Sequence, residues 1–486
     1  MTANLSSADL AAVGPEIVLS AFGLLLVLLD AFARPLRPAF PYVALTGLFS
    51  ANWTGHYLGG SFFSKAIEAS ELTRFVDLAA IVAATLAVLG GAALLERDRK
   101  NQGEFYALLL WSTAGLMLMV KGADLLVVFI GLELMSFGLY VLAAWYRETA
   151  ESVESAMKYF LVGAVASAFL LFGVATVYGR VGSTNLIAIR EAAMGGSLLL
   201  DPLLSAGLLA IVAALSFKIA LVPFHSWAPD VYQGMTTPAV TFLSTAPKAA
   251  AMIVMVRILG ALSPAGLGDP WQPLLGIMAV ASILFGNIVA LSQRDVKRML
   301  AYSGIAQMGY AAIALATFSS DALEGLLVFL AGYILTNAAA FLSSAVLSGG
   351  EKEAHPLSDL AGMGRRRPFA ATILSLSMVS LAGFPPTVGF IGKFLVFRSA
   401  IAAGLMPLAL VGIFGSLISV GYYFRVIYFL WMKEPSREVN VPEEDPLAGA
   451  AYVLVAAGIL ALGILPKPLL EIARAAAASV PFSPVR

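Results

Sequence analysis

Long apolar runs separated by short polar connections dominate the chain, and each run is close to the length that crosses a bilayer. A helix spanning a hydrocarbon core of roughly 30 Å takes about 20 apolar residues. Fourteen stretches qualify: 14–32, 39–57, 74–95, 105–121, 124–146, 156–179, 202–228, 237–261, 271–291, 297–317, 323–347, 368–402 (long and interrupted), 407–431 and 446–464. Their connections are mostly short and rich in Gly, Pro, Asp or Arg, with no sizeable soluble domain inserted. The segment from Lys467 to Ala478 reads as an amphipathic helix lying at the surface. The pattern predicts an all-α polytopic membrane protein of about 14 transmembrane helices.

Internal repetition is faint in letters and clearer in architecture. Three helices in 1–104 precede a five-helix unit in 105–262 and a second in 263–432; a last span and the amphipathic segment fill 433–486. In each unit the fourth helix is broken by proline inside the apolar run, at Leu221-Val222-Pro223-Phe224 and at Gly383-Phe384-Pro385-Pro386. Five is odd, so the second unit runs upside down relative to the first. Inverted repeats with interrupted helices at matching positions are a transporter pattern, with sites near the breaks. The plainer reading is that the prolines only kink packed helices.

Composition narrows the class further. Hydrophobic residues make up 59% of the 486 and charged residues 12%, against about 25% charged in a soluble domain. A formal net charge of zero makes no electrostatic case for nucleic acid. The absence of cysteine excludes disulfides, thiolate-ligated iron–sulfur clusters and a cysteine nucleophile on this chain. His56, His225 and His355 are widely separated, so no haem or metal site is expected.

Met1 to Val13 contains no Lys or Arg, unlike the basic start of a cleaved signal peptide, so the first apolar segment is expected to be retained. Loops after odd-numbered helices hold Arg34, Arg37, Arg97, Arg99, Lys100, Arg147, Arg294, Lys297, Arg298, Lys352, Arg365, Arg366, Arg367, Lys433 and Arg437. The other side holds Lys65, Lys121, Arg180, Arg190, Lys467, Arg474 and Arg486. That asymmetry places the odd loops in the cytoplasm and both termini outside.

Five ionisable residues inside the spans stand out as candidates. Glu133 is near the middle of the fifth, Lys158 opens the sixth, Lys218 precedes the first break, Lys248 is central in the eighth, and Lys393 follows the second break. A charge at a helix centre costs about 2.5–3.5 kcal/mol even on the lenient insertion scale, so these side chains should face the bundle interior or water. Burial disfavours a lysine's charge and a nearby carboxylate restores it. Moving Glu133 toward or away from Lys218 would therefore load or release a proton. Moving a proton against about 150 mV takes roughly 3–4 kcal/mol. A unit pair at about 4 Å and an effective dielectric near 20 interacts by roughly 4 kcal/mol, so one pair is of sufficient size. The alternative is a static interhelical ion pair.

Lys158 sits near a helix start, where it can equally snorkel to the interface, as is expected of Arg257, Arg398 and Arg425. His225, beside the first break, suits either a proton relay or a hydrogen bond to carbonyls freed by Pro223. Ser303, Gln307, Tyr310 and Asn337 suit either a water file linking Lys248 to Lys393 or polar glue between helices.

These residues carry a resemblance. The run Leu221-Val222-Pro223-Phe224-His225-Ser226-Trp227-Ala228-Pro229-Asp230-Val231-Tyr232-Gln233-Gly234, then Thr237-Pro238 and Pro247-Lys248-Ala249, resembles the central signature of the antiporter-like membrane subunits of respiratory complex I. The likeness extends over most of the chain, through Glu133 in its helix, Tyr302 to Tyr310, Asp359-Leu360-Ala361-Gly362-Met363, and Gly383-Phe384-Pro385-Pro386 leading to Gly392-Lys393-Phe394. Tyr-Gln-Gly after Pro-Asp, lysine rather than histidine in the eighth helix, a lysine in the twelfth span and the lack of a long carboxyl-terminal extension are most similar to the subunit N group.

The resemblance implies a fourteen-helix fold of two inverted repeats in the membrane arm of a proton-translocating NADH:quinone oxidoreductase. Flavin, iron–sulfur clusters and quinone are then expected on partner subunits and no cofactor on this chain. It carries over Glu133 and Lys218 as a coupled pair, Lys248 as central relay, and Lys393 as the group passing the proton outward. His225 and Lys158 are further candidates. A subunit of a multisubunit sodium/proton antiporter and a passive membrane-arm scaffold are the competing readings. Two departures stand out: Met235-Thr236 replaces a more usual Ala-Pro, and Pro247 precedes Lys248 where small hydroxyl residues are common. Pro247 is expected to bend the eighth helix and shift Lys248.

Overall fold

The computed structural model describes residues 6–55, 59–98, 102–194, 201–262, 271–348, 356–435 and 446–480, without the side chains of 93, 94 and 96–98. The expectations on His56, His355, Arg99, Lys100, Lys352, Arg437, Arg486 and the Arg97 side chain lie outside that description. The fold is largely α-helical and polytopic. Its helices run α1 Ser7–Ala12, α2 Gly14–Phe32, α3 Phe40–Thr54, α4 Glu71–Asp98, α5 Gln102–Lys121, α6 Leu125–Ala143, α7 Ala150–Val181, α8 Leu186–Ala193, α9 Pro202–Ile219, α10 Trp227–Gly234, α11 Thr237–Leu243 and α12 Ala246–Leu262. They continue as α13 Trp271–Ser292, α14 Val296–Thr317, α15 Ser320–Leu347, α16 Met363–Arg366, α17 Pro368–Ala382, α18 Val388–Ala402, α19 Met406–Trp431, α20 Pro446–Ile464 and α21 Lys467–Ala478.

Among the described residues, twelve helices are long and apolar enough to cross a membrane, with α11 and α12 together forming one of them, Thr237–Leu262. Two expected spans differ. Stretch 39–57 becomes α3, a helix of only 15 residues, and stretch 368–402 divides into α17 and α18, of 15 residues each. The seventh stretch also stops early, because α9 ends at Ile219 rather than continuing to 228. Pro223 has no N–H to donate and disfavours helical geometry in the residue before it. Both broken helices close the same way. Ala220 (φ 57°) and Gly383 (φ 88°) adopt the left-handed conformation. The next amide, of Leu221 or Phe384, then reaches back to Ser216 or Val379, as in a Schellman cap.

The bend expected at Pro247 is present one step earlier. Helix α11 ends at Leu243 and α12 restarts at Ala246, placing Pro247 in a first turn, where its missing N–H leaves no helical bond unmade. An element absent from the apolar pattern is a hairpin of Gly60–Phe62 (β1) and Ile67–Ala69 (β2), registered Gly60↔Ala69 to Phe62↔Ile67. The Phe63 amide, with that of Ser6, donates to Asp9 and holds its carboxyl below the usual range.

The core follows from which helices lose contact with the outside. The most apolar 18-residue stretch of the α11–α12 span is wholly buried and that of α14 is 94% buried, whereas those of α2, α19 and α20 are each 33% buried. The Lys248 ammonium on α12 therefore lies in the middle of the bundle. Close packing rests on reciprocal glycines. A Cβ on Gly115 (α5) would sit 2.4 Å from the Met135 amide of α6, and one on Gly131 (α6) would sit 2.3 Å from the Met119 amide of α5. The same device joins α13 and α14 through Gly286 and Gly309, as small residues let membrane helices approach. Gly131→Val separates those backbones and costs at least about 3 kcal/mol. Its expected result is loss of the folded protein from membranes, measured as detergent-extracted yield. Gly179→Ala, whose Cβ meets nothing within 4 Å, leaves that yield unchanged.

Candidate functional site

One face of α6 presents Glu133, Ser136 and Tyr140 at successive helical turns. Glu133 is half-buried, beside the exposed Ile130, Leu134 and Phe137, and accepts a hydrogen bond from the Ser167 hydroxyl of α7. Lys218, near the end of α9, is 4% exposed. Its Nζ donates to Ser136 Oγ at 2.7 Å and Tyr140 Oη at 3.2 Å, and the rings of Tyr140, Tyr159 and Phe217 surround it at 5.2–5.6 Å. The structure brings Glu133 and Lys218 to one helix face without an ion pair between them; neutral hydroxyls stand in the place of the expected contact.

Lys158 does not merely snorkel. Its Nζ is 2.6 Å from both Glu154 Oε1 and Asp230 Oδ2. The other oxygen of Asp230 takes Arg298 at 2.6 Å, and Arg298 also donates to Gln233 Oε1. Asp230, on α10 just after the first break, thus ties α7 to α14. Its signal in the sequence is its place beside an apolar break, seven residues after Pro223. Lys297, counted above among loop cations, is buried and donates to the Gln233 and Met235 carbonyls that end α10. His225 is half-buried, with its ring 4.5 Å from Phe285 and its Nδ1 buried without a hydrogen-bond partner among the described residues.

Lys248 is fully buried in α12, and its Nζ has no hydrogen-bond partner among the described residues. It lies 5.3 Å from the Tyr232 ring. Gly304 of α14 provides its space, since a Cβ there would stand 3.1 Å from Lys248 Nζ and 3.2 Å from Tyr333 Oη. Tyr333, from α15, also lines a cavity of about 10 Å³ with Gln307, Thr336, Ser380, Leu381 and Lys393, room for about one water. Lys393 Nζ donates to the Leu381 carbonyl at 2.8 Å and that of Ala382 at 3.3 Å, capping α17 where the break frees its carbonyls. The Tyr310 ring lies 4.5 Å from that amine.

Gln307 shares the Leu381 carbonyl with Lys393 and also donates to Tyr423 Oη, which is 2.5 Å from Ser303 Oγ. Gln307 and Tyr310 therefore stand at Lys393, and Ser303 joins them through Tyr423. Asn337 turns instead to Ser244, in the linker before α12. Tyr333 and Tyr423, which join these groups, escaped sequence reading because a tyrosine in a span resembles ordinary core. Two arginines expected to snorkel do something else. Arg257 (α12) donates to the Val120 and Gly122 carbonyls at the end of α5. Arg425 (α19) donates to the Leu291 and Gln293 carbonyls at the end of α13. Arg398 is exposed. Among the described residues no group of three or more His, Cys, Asp or Glu could hold a metal ion.

Residues 122–419 match the protein family described as "NADH:quinone oxidoreductase/Mrp antiporter, TM". The chain is 39% identical to the NADH-quinone oxidoreductase subunit N of Trichlorobacter lovleyi, across 95% of this chain and 96% of that one. A chain of respiratory complex I from Thermus thermophilus, solved with bound aureothin, superimposes with a TM-score of 0.80 at 33% identity, covering 95% of this chain and 99% of its own. A chain of the Mrp complex from Dietzia sp. DQ12-45-1b superimposes with a TM-score of 0.83 at 20% identity, covering 98% of each. That last likeness speaks for the fold alone.

Proposed function

Because the chain belongs to the NADH:quinone oxidoreductase/Mrp antiporter family of membrane subunits, as a homologue of NADH-quinone oxidoreductase subunit N, we propose that it carries protons from cytoplasm to outside within a respiratory complex I. The observation that carries this reading is that Lys218, Lys248 and Lys393 are at most 4% exposed and, among the described residues, pair with no carboxylate. A buried ammonium kept for structure needs a counter-charge. These amines have hydroxyls, carbonyls or no partner, so their charge is free to follow a passing proton. Glu133 and Lys218 load the path, Lys248 relays, and Lys393 passes the proton onward. Lys158 with Asp230, and His225, stand near the first break as entry groups.

Two inverted five-helix repeats, 105–262 and 263–432, and a fourteen-span count with α3 and the α17–α18 pair each as one span belong to the same proposal. Paired details support the repeat. Asp124, before α6, bridges Asn185, and Asp295, before α14, bridges Pro356. Arg257 and Arg425, each on the fifth helix of its unit, cap the first helix of that unit. The basic loops then put both termini outside a bacterial inner membrane. Flavin, iron–sulfur clusters and quinone sit on partner subunits that release the redox energy.

The test is Lys393→Ala in the intact complex, reconstituted in vesicles, with protons counted per electron. The ratio is expected to fall while the subunits still copurify. A normal ratio leaves a scaffold, and copurification with small membrane proteins alone assigns the chain to a sodium/proton antiporter.

A further inference from the structure

Where α2 begins, the first turns of α4 pass and α5 ends, a second buried cluster stands apart from the lysine line. Lys121 Nζ is 2.8 Å from Glu16 Oε1 and 3.1 Å from Asp77 Oδ2, and it donates to the Ala12 carbonyl at 3.4 Å. The side chains of Lys121, Glu16 and Asp77 are only 4%, 10% and 13% exposed. In the sequence Lys121 looks like an ordinary loop cation, and neither acid stands out. The structure makes it the shared partner of two carboxylates.

Two carboxylates on one ammonium leave a negative charge without compensation in a site of low dielectric, and carboxylates that share a site resist ionising together. Glu16 Oε2 and Asp77 Oδ1 are buried and accept no hydrogen bond from the described residues. Among the described residues, Lys121 is the one cation within ion-pair distance of either acid. Arg257 is committed to Glu68 and to the carbonyls ending α5, while Asp9 of α1 is taken up by the amides of Phe63 and Ser6. Asp77 lines two cavities, of about 430 and 390 Å³, and Lys121 lines the second. Both cavities are also lined by Glu71 and Arg74, which are exposed, so both reach the protein surface. Glu471 of α21 adds a further acid to the first.

We propose that Glu16, Asp77 and Lys121 form a proton-exchange site, in which the carboxylate pair holds one exchangeable proton and trades it with water in the Glu71–Arg74 cavities. The proton arrives from hydronium and returns to water, with Lys121 keeping its charge throughout. The site stands whether or not the central lysines conduct. Only its placement on the outer side rests on the orientation proposed above.

Infrared difference spectra of the intact membrane complex in lipid, taken while pH is stepped, test this directly. A protonated-carboxyl C=O band that titrates with pH is expected in the wild type. It should be lost in Asp77→Asn and in Glu16→Gln, and retained in Asp77→Glu and in Lys393→Ala. Because both amide variants keep side-chain size, subunit yield reports separately on folding, and Lys121→Met, expected to move the titration of the same band, serves if either fails to assemble. Spectra unchanged in all of these variants overturn the proposal. Loss of the wild-type band on adding Na⁺ at constant pH overturns it too, by showing that a metal cation rather than a proton occupies the site.

Discussion

Lys218→Ala is expected to lower coupled proton release and quinone reduction by the assembled complex about tenfold or more, a change of about 1.4 kcal/mol or more in the coupled step. Among the described residues, the Lys218 amine is the one charged group hydrogen-bonded to the α6 face that carries Glu133, reaching it through Ser136 and Tyr140. Alanine removes the station and leaves those hydroxyls to one another. Lys218→Arg separates charge from proton transfer, because guanidinium keeps its charge in proteins and does not release a proton. It should impair pumping nearly as much while preserving the amount of complex in the membrane. Glu133→Ala is expected to act in the same direction. Proton-to-electron ratios in vesicles measure all three, and normal ratios in Lys218→Ala and Glu133→Ala would remove the Glu133–Lys218 step.

The second large effect is expected at a residue with no chemistry of its own. Gly304→Val places methyl groups between Lys248 Nζ and Tyr333 Oη, which already stand 3.1 and 3.2 Å from the position of a Cβ there. Tyr333 is the group that faces both this gap and the small cavity at Lys393. Filling the gap should cut proton transfer between the two lysines by about tenfold, again near 1.4 kcal/mol. Gly304→Ala, which asks its neighbours to give only slightly, should cost less. Tyr333→Phe should reproduce part of the Gly304→Val defect without crowding. A normal proton-to-electron ratio in assembled Gly304→Val complex would show that protons do not pass this way.

Much of this site is legible in one dimension, and the reasons are local. A lysine in the centre of an apolar run, such as Lys248, is conspicuous because its burial costs free energy that ordinary packing does not return. Pro223 and Pro385 announce helix ends because each removes a backbone donor. The partners are another matter. Lys218 meets Ser136 across 82 positions, and Gln307 meets Tyr423 across 116. Neutral hydroxyls and amides inside spans look alike whether they relay protons or hold helices together. Arg257 and Arg425 looked like snorkelling residues because helix-end cations commonly are; only the neighbouring helix ends show that they cap carbonyls instead.

The amino-acid order by itself determined that this protein lives in a membrane, roughly where its helices start and stop, and that Lys218, Lys248 and Lys393 must be buried, while the burial of Lys121 and Lys297 was not legible in it. Those properties follow from apolar run length and backbone hydrogen bonding, which act within a single helix. Only the tertiary structure decided that the three central lysines lack carboxylate partners among the described residues, that Gly304 opens Lys248 toward Tyr333, and that Glu16 and Asp77 converge on Lys121. Contacts of that kind depend on how helices cross and rotate against one another, and in this bundle close approaches between backbones, as at Gly115 and Gly131, set those crossings.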